Sequence, residues 1–378
     1  LEGKDGALWI GTFDGGLNKL DVVRKRFTRL LSREGDKKSI GGNYIYKLTN
    51  DRDGNIWVAA DGSLNKINRN SGAITGYSQD QSNENSLSSN IVTKVFFDLN
   101  NRMWVGTRFG GVNVHDAGKY PFRHYKYDPY DRNSLTNNTV TSFEEDNDGN
   151  FWIATDGGSL NHFNRHTNKF TNYLNTFSNN KILAVKKDRK GGLWLGMWSG
   201  GLNYYNPVTK QIRHYKHDST KPTSLSDNNV FHILEDSKGN IWIATWGDGL
   251  NMYNPKTDDF TRYTHDPNNP NSITSFAIDF LFEDSNEKIW IASELNGLDR
   301  FDPETKTFTH FKSDSKPGSL SSNSIFAIYE DSKKRLWIGT NAGLNVFNPE
   351  TETFKSYRRT NGLPNDGILG IQEERSGS

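Results

Sequence analysis

Short apolar runs separated by turn residues recur along the whole chain. In one stretch "NVFHILED" alternates apolar and polar side chains, "IWIAT" is a continuous β-branched and aromatic run, and "LNMYN" and "FTRYTH" are two further short runs. The turn sequences "SKGN", "WGDG" and "PKTDD" separate them. Such alternation predicts a half-buried strand, and the continuous run predicts a fully buried one. The stretch therefore predicts four consecutive strands, the first with Val230, His232 and Leu234 on one face and Phe231 and Ile233 on the other.

This unit is repeated around a tryptophan at intervals of 42 to 48 residues. Four short strands in a unit of about 47 residues are typical of a β-propeller blade. One blade cannot bury both faces of its sheet, whereas stacking against its neighbours does so, and we expect the repeated indole to fill the space between blades. The repeating tryptophans are Trp9, Trp57, Trp104, Trp152, Trp194, Trp242, Trp290 and Trp337.

The two ends of the chain complement each other. The chain begins at the turn before "LWIGT", so the first blade lacks a first strand, and the end "DGILGIQEERSGS" repeats the first-strand pattern. The fold class predicted is therefore all-β, a single closed β-propeller of eight four-stranded blades spanning residues 1–378 as one sensor domain, with the first blade completed by the C-terminal strand. The alternative is seven blades, with one repeat outside the ring. The fourth unit is shorter, because "YLNTFSNNKI" lacks the loop "DP…SL" of the others.

Composition narrows the function classes. The 46 basic and 45 acidic residues give a net charge of +1, so no charge excess points to nucleic acid or to an anionic membrane surface. Cysteine is absent, which excludes disulfides and a cysteine nucleophile. No apolar run is long enough for a transmembrane helix. We therefore expect contact with a membrane only through segments absent from this chain.

The repeated unit resembles the two-component regulator propeller repeat. Clear copies are "EDSKGNIWIATWGDGLNMYNPKTDDFTRYTHDP" (235–267) and "EDSKKRLWIGTNAGLNVFNPETETFKSY" (330–357). In that family the propellers form the periplasmic sensor portion of bacterial membrane proteins, often hybrid histidine kinases and sometimes diguanylate cyclases, and many respond to glycan fragments. The resemblance implies a periplasmic location on an inner-membrane protein and a role in signal transduction.

The polar residues of the repeat are mostly typical of a scaffold. Turns such as "DNDGN" lack the ordered series of oxygen ligands of a calcium loop, and other blades hold Lys or Arg there. We expect the first Asp of each turn to bond backbone N–H groups two residues on. His124, His214 and His310 lie before or within fourth strands, and His162 and His166 need not share a face. No nucleophile elbow, phosphate loop or dinucleotide fingerprint is present. The sequence thus predicts no metal, no cofactor and no catalytic residue.

Positions that vary inside a regular repeat are the better candidates for a site. The loop between the second and third strands of each blade holds different side chains from one blade to the next. These loops should gather near the mouth of the central channel. Mixed aromatic and polar side chains suit a carbohydrate or another polar small ligand, because flat indoles stack on sugar C–H faces while polar neighbours bind hydroxyls. The residues expected to bind ligand are Trp198, Trp246, Arg108, Phe109, Asp248, Phe13, Asp14, Glu294 and Asn296.

The sequence favours an extracytoplasmic sensory propeller that binds an oligosaccharide or other polar small ligand, with a second copy of the chain, as a homodimer, among its partners. Three alternatives stay open. The loop aromatics could only pack against the neighbouring blade, or they could dock another protein, since exposed Trp and Arg are common at interaction hot spots. The third alternative is a glycan-acting enzyme.

Overall fold

The computed structural model describes residues 7–36, 38–83, 85–98, 102–116, 120–293, 295–314, 316–363 and 365–373; for residues 116 and 120–123 it describes the backbone only. The chain forms two compact units, one within residues 1–125 and 313–378, the other of residues 126–312. Each unit contains four antiparallel sheets of four strands. We number these sheets as blades 1 to 8 in chain order.

The first unit holds blades 8, 1, 2 and 3, in which the strands run from first to fourth as follows. Blade 8 is β28 (Ile325–Glu330), β29 (Leu336–Thr340), β30 (Gly343–Asn348) and β31 (Thr353–Tyr357). Blade 1 is β32 (Ile368–Glu373), β1 (Leu8–Thr12), β2 (Leu17–Asp21) and β3 (Arg26–Leu30). Blade 2 is β4 (Ile45–Asn50), β5 (Ile56–Ala60), β6 (Leu64–Ile67) and β7 (Ile74–Tyr77). Blade 3 is β8 (Val92–Phe97), β9 (Met103–Thr107), β10 (Gly111–Asp116) and β11 (Tyr120–Tyr125).

The second unit holds blades 4 to 7 in the same strand order. Blade 4 is β12 (Val140–Glu145), β13 (Phe151–Thr155), β14 (Ser159–Asn164) and β15 (Lys169–Asn172). Blade 5 is β16 (Ile182–Lys187), β17 (Leu193–Met197), β18 (Gly201–Tyr205) and β19 (Ile212–Tyr215). Blade 6 is β20 (Val230–Glu235), β21 (Ile241–Thr245), β22 (Leu250–Asn254) and β23 (Asp259–Tyr263). Blade 7 is β24 (Phe280–Glu283), β25 (Ile289–Ser293), β26 (Gly297–Asp302) and β27 (Thr307–Phe311).

The second strand of every blade is buried along its whole length, as its continuous apolar run predicts. Trp194 on β17 shows the reason. Its ring packs with Val230 and Ile233, which belong to the first strand of the next blade, and with the rings of Tyr204 and Tyr215 of its own blade. The repeated tryptophan therefore lies between blades, and the buried area holds neighbouring sheets together.

The simple alternation predicted for the first strand of blade 6 is wrong. Val230 lies opposite Thr245, but His232 lies opposite Ala244, so one residue is extra on β20. This β-bulge leaves Phe231 and His232 both outside the core, while Val230 and Ile233 are buried. The first strands of blades 1 to 5 and 8 have the same register shift. A bulge adds one residue between two buried positions, so a period of two cannot describe the strand.

Blade 1 confirms the predicted closure. Strand β32 pairs with β1 from Leu8 opposite Glu373 to Thr12 opposite Ile368. Ile368 and Ile371 are buried with the apolar side chains of β1. The predicted eight-bladed β-propeller of four-stranded sheets is thereby confirmed, and the alternative of seven blades is wrong. Among the described residues the only helical segment is a 3₁₀ turn at Arg359–Asn361, and none has the length and apolar character needed to cross a membrane.

Candidate functional site

The loop between the second and third strands is held by its backbone in the same way in seven blades. Its first residue donates its N–H to the carbonyl of the residue that precedes the first strand of the same blade. The side chain of that first residue takes no part in the bond, so it can vary without changing the loop. The donor and acceptor pairs are Phe13 with Gly367, Asp61 with Tyr44, Arg108 with Ile91, Asp156 with Thr139, Trp198 with Lys181, Trp246 with Asn229 and Asn341 with Ser324, at N···O distances of 2.8 to 3.2 Å.

Three aromatic side chains of blades 5 and 6 form one surface, which we call the aromatic platform: Trp198, Phe231 and Trp246. The ring centroids of Trp198 and Trp246 are 5.8 Å apart, and Phe231 lies 5.9 Å from the first and 5.7 Å from the second. Trp198 is 37% exposed and Trp246 is 40% exposed, although rings of this size are usually well buried. The two tryptophans predicted to bind ligand are thus brought together, with a third ring added to them.

Asn229 connects the two loops that carry the platform. Its backbone carbonyl accepts the N–H of Trp246 at 3.0 Å, and its side-chain oxygen accepts the N–H of Ser199 at 2.8 Å. Its own backbone N–H is bonded to the carboxylate of Asp227 at 2.7 Å. Because Ser199 directly follows Trp198, these bonds restrain both indoles relative to each other. The surface is formed before any ligand arrives, which lowers the entropy cost of binding.

Two carboxylates, Asp227 and Asp248, belong to the loops of blade 6 that carry Asn229 and Trp246. Burial raises the pKa of Asp248, and the charge of Asp227 raises it further, while the charges of Arg262 and His217 lower it. No described residue donates a hydrogen bond to the Asp248 carboxylate, which leaves its oxygens able to accept from a ligand hydroxyl. His217 also lines a groove of about 860 Å³ beside the fourth strand of blade 5. The loops of blade 6 therefore carry polar acceptors as well as part of the aromatic platform.

A second aromatic group lies at the equivalent loops of blades 1 and 2. The ring of Phe13 is 4.6 Å from that of Tyr44, which is 4.5 Å from Tyr46. Burial raises the pKa of Tyr46, as do the charges of Asp61 and Tyr44, while Arg108 lowers it. Asp61 of blade 2 and Arg108 of blade 3 therefore place a carboxylate and a guanidinium near aromatic rings in the first unit as well.

The remaining predicted residues have diverse surroundings. The Arg108 guanidinium lies 5.5 Å from the ring centroid of Phe109, which is 69% exposed. Asp14 is exposed. The Asn296 amide donates to the hydroxyl of Ser275 at 3.0 Å, so part of its bonding capacity is used within the loop. Glu294 lies outside the described residues.

Sequence reasoning missed Phe231, Asn229, Tyr44 and Tyr46. All four lie at the start of a first strand or directly before it, where the sequence pattern predicts only an alternating, half-buried strand. A signal was present, because the position of Phe231 holds Thr93, Thr141 and Leu183 in other blades and is as variable as the loops. Variation at that position becomes informative only when the bulge is known to turn it away from the core.

The turn aspartates form the predicted bond to a backbone N–H group, and most of them also accept a hydrogen bond from the repeated tryptophan. In blade 6 the Asp236 carboxylate accepts the N–H of Lys238 at 3.0 Å, which confirms the predicted turn bond. Its second oxygen accepts the indole N–H of Trp242 at 2.8 Å, a contact that sequence reasoning missed. Equivalent indole bonds join Trp57 to Asp51, Trp104 to Asp98, Trp194 to Asp188, Trp290 to Asp284 and Trp337 to Asp331.

Histidines serve the scaffold in the same way. The Nε2 atom of His162 lies 2.8 Å from the Asp146 carboxylate, and Nδ1 of His214 lies 2.5 Å from the side-chain oxygen of Asn203. As predicted, His124, His214 and His310 lie in fourth strands. Within the described part of the chain no group of three or more His, Asp or Glu side chains is arranged to hold a metal ion.

Comparison with a family model identifies four of the repeats. The model, described as the two-component regulator propeller, matches residues 39–62, 134–157, 224–247 and 319–342. Each match runs from the loop before a first strand to the loop after a second strand. A search of curated proteins finds no significant match.

Solved structures share the fold. The extracellular domain of a putative hybrid two-component system of B. thetaiotaomicron is 23% identical with a TM-score of 0.64, over 91% of this chain and 49% of that one. PorZ of Porphyromonas gingivalis, a surface component of the type-IX secretion system, is 13% identical with a TM-score of 0.61, over 95% and 58%. Virginiamycin B lyase of Staphylococcus aureus is 12% identical with a TM-score of 0.54, over 82% and 94%. The chain spans about half the length of the first of these.

Proposed function

Since this chain carries two-component regulator propeller repeats, we propose that it is the extracytoplasmic sensory propeller of a bacterial membrane-anchored signalling protein. Its ligand is an oligosaccharide that binds on the aromatic platform. The observation that carries this proposal is the exposure of Trp198 and Trp246 with their rings 5.8 Å apart, in loops that also carry the carboxylate of Asp248. Indole faces accept the C–H face of a sugar ring, and the carboxylate accepts its hydroxyls.

The ligand signals through the equilibrium between two arrangements of the sensor. A ligand can shift such an equilibrium only by as much as it binds one arrangement better than the other. The platform is built from two blades, so a sugar chain that spans Trp198 and Trp246 contacts both. We therefore place the sensing step at loops of the propeller rather than in the second strands of blades 5 and 6, which are buried along their whole length.

The test is a glycan array followed by calorimetric titration of the oligosaccharide that binds. Trp198→Ala and Trp246→Ala should each weaken binding at least tenfold, equal to about 1.4 kcal/mol. Tyr130→Ala is the matched control, because Tyr130 is an exposed aromatic residue outside the platform, at 97% exposure. Unchanged affinity in both tryptophan variants, with a normal melting temperature, would contradict the proposal.

Docking of another protein is the second candidate function. Phe276 is 56% exposed and Leu295 is 71% exposed, and both belong to loops of the same unit as the platform. Exposed apolar groups of this kind are common at protein interfaces. Absence of any hit across plant, host and glycosaminoglycan arrays would favour docking. Release of reducing ends or unsaturated products from a glycan would instead favour the enzyme alternative.

A further inference from the structure

Two lysines occupy equivalent positions on the first strands of blades 2 and 3. Lys47 lies opposite Ala59 and Lys94 lies opposite Gly106, in each case directly after the β-bulge. Their neighbours Leu48 and Val95 are buried, whereas both lysine side chains are exposed. The bulge therefore turns both lysines away from the core of their own blades.

These strands form the inner edge of the first unit. β28 contacts β32, β32 contacts β4, and β4 contacts β8, so the four first strands follow one another. At the same register as Lys47 and Lys94, β28 has Ala327 and β32 has Gly370. A side-chain carbon built on Gly370 would meet no atom within 4 Å. Ala327 and Gly370 are small, so the edge that carries the two lysines has open space in front of it.

The positive charges of Lys47 and Lys94 are unfavourable at these positions when no anion is bound. Burial lowers the pKa of Lys47, and burial together with the charge of Lys47 lowers the pKa of Lys94. Both side chains are open to solvent, yet enough protein surrounds each ammonium group to disfavour its charge. Among the described residues no carboxylate forms a salt bridge with either lysine. Two neighbouring cations repel each other, and a bound anion would offset that repulsion.

We propose that Lys47 and Lys94 form an oxyanion-binding site at the inner edge of blades 2 and 3. Lysine ammonium groups bind sulfate, phosphate and carboxylate groups as point charges that donate hydrogen bonds. The oxyanion is either a free inorganic ion or the acid group of a sugar. The site belongs to the first unit and goes beyond the oligosaccharide platform, which belongs to the second, so the two proposals stand separately.

Thermal unfolding and calorimetry with three probes test the site: sodium sulfate, sodium glucuronate and glucose, with sodium chloride used to keep the ionic strength constant. We expect sulfate to bind the wild-type chain saturably and to raise its melting temperature, and glucose to do neither. Lys47→Met and Lys94→Met should each weaken sulfate binding at least tenfold, and the double variant should show none. Lys256→Met, a change of an exposed lysine outside the site, should bind sulfate like the wild type.

The glucuronate arm separates the two sources of the oxyanion. Saturable glucuronate binding that needs both lysines assigns the site to acidic sugars, and sulfate binding alone assigns it to a free ion. Lys47→Arg keeps the charge and should keep the sulfate response. This variant is the control that separates loss of the charge from misfolding. Equal responses in the wild type and the double methionine variant, or no saturable response in the wild type to either anion, would overturn the proposal. Neither result would alter binding of a neutral oligosaccharide at Trp198.

Discussion

The indole of the repeated tryptophan has two functions in the same position. In blade 6 the Trp242 ring is 1% exposed and packs in the core, while its N–H is bonded to the Asp236 carboxylate. The carboxylate is itself buried, and three backbone or side-chain donors of its own turn also bond to it. A buried carboxylate is stable only when its oxygens accept such bonds. The tryptophan therefore fixes the turn as well as filling the space between blades.

We expect Trp242→Phe to destabilise the protein by about 1–3 kcal/mol, because it removes one donor from a buried carboxylate. Trp242→Ala should cost about 3–5 kcal/mol, because it also creates a cavity. Urea unfolding measures both. A double-mutant cycle with Asp236→Asn isolates the indole bond, and additive effects of the two changes would show that the bond contributes nothing.

Trp194 and Trp198 differ in burial although they are only four positions apart in the sequence. Trp194 is 2% exposed and Trp198 is 37% exposed. We expect Trp194→Ala to cost about 3–5 kcal/mol of unfolding free energy and Trp198→Ala less than about 1 kcal/mol. Chemical unfolding of the two variants decides this. A large loss in Trp198→Ala would assign that ring to packing between the loops.

At the scale of the strand, the third strand of blade 7 differs from those of the other blades by one change, opposite a histidine that blades 3 and 5 also have. Asp299 replaces the asparagine found at this position in blade 6, Asn251, and it accepts the backbone N–H of Thr274 at 2.8 Å. His310 Nδ1 lies 2.7 Å from the Asp299 carboxylate, and its Nε2 lies 2.8 Å from the Pro270 carbonyl. Both contacts are to acceptors, so a doubly protonated, charged imidazole can donate a hydrogen bond to each of them.

The pair makes stability depend on pH. The hydrogen bond to Asp299 raises the pKa of His310, against the effect of burial. A raised pKa in the folded state adds stability that is complete below the unfolded value of about 6.5 and is lost as pH rises through the folded value. We therefore expect the urea midpoint to fall as pH rises from about 6.5 through the raised pKa that His310 has in the folded state. His310→Gln should remove this part of the dependence, and an unchanged pH slope in that variant would contradict the assignment.

At the scale of the whole chain, blade 1 is assembled from residues at both ends. Strand β32 pairs with an edge of β1 that would otherwise be unpaired. Its residue Ile368 is fully buried among residues of β1 and Trp337. The stability of the first blade therefore depends on residues far apart in sequence. Such long-range pairing is slow to form, because the chain must close a long loop first.

We expect Ile368→Ala to destabilise the protein by about 2–5 kcal/mol, as for a large-to-small change in a core. Leu369→Ala is the matched control, because its side chain is only half-buried and should cost less. Calorimetric melting of the two variants provides the comparison. Equal melting temperatures for Ile368→Ala and the wild type would show that β32 does not close the first blade in solution.

The number of blades, their strands and the buried tryptophans could be predicted from the sequence. Turn residues, β-branched runs and the repeated indole act over a few neighbouring positions, and eight copies of the same local pattern strengthen each other. The exposed Trp198 and Trp246 could be predicted too, because they break a repeat that is otherwise regular. Binding at these residues stays a prediction.

The contacts between blades were decided only by the tertiary structure. Phe231 joins Trp198 because a β-bulge turns it out of the core and because blade 6 stacks on blade 5. The same bulge turns Lys47 and Lys94 to the inner edge of the first unit. Sequence determines the local conformation through neighbouring residues, whereas these groups meet through a one-residue register shift and through the stacking of separate sheets. Neither leaves a periodic signal in the chain.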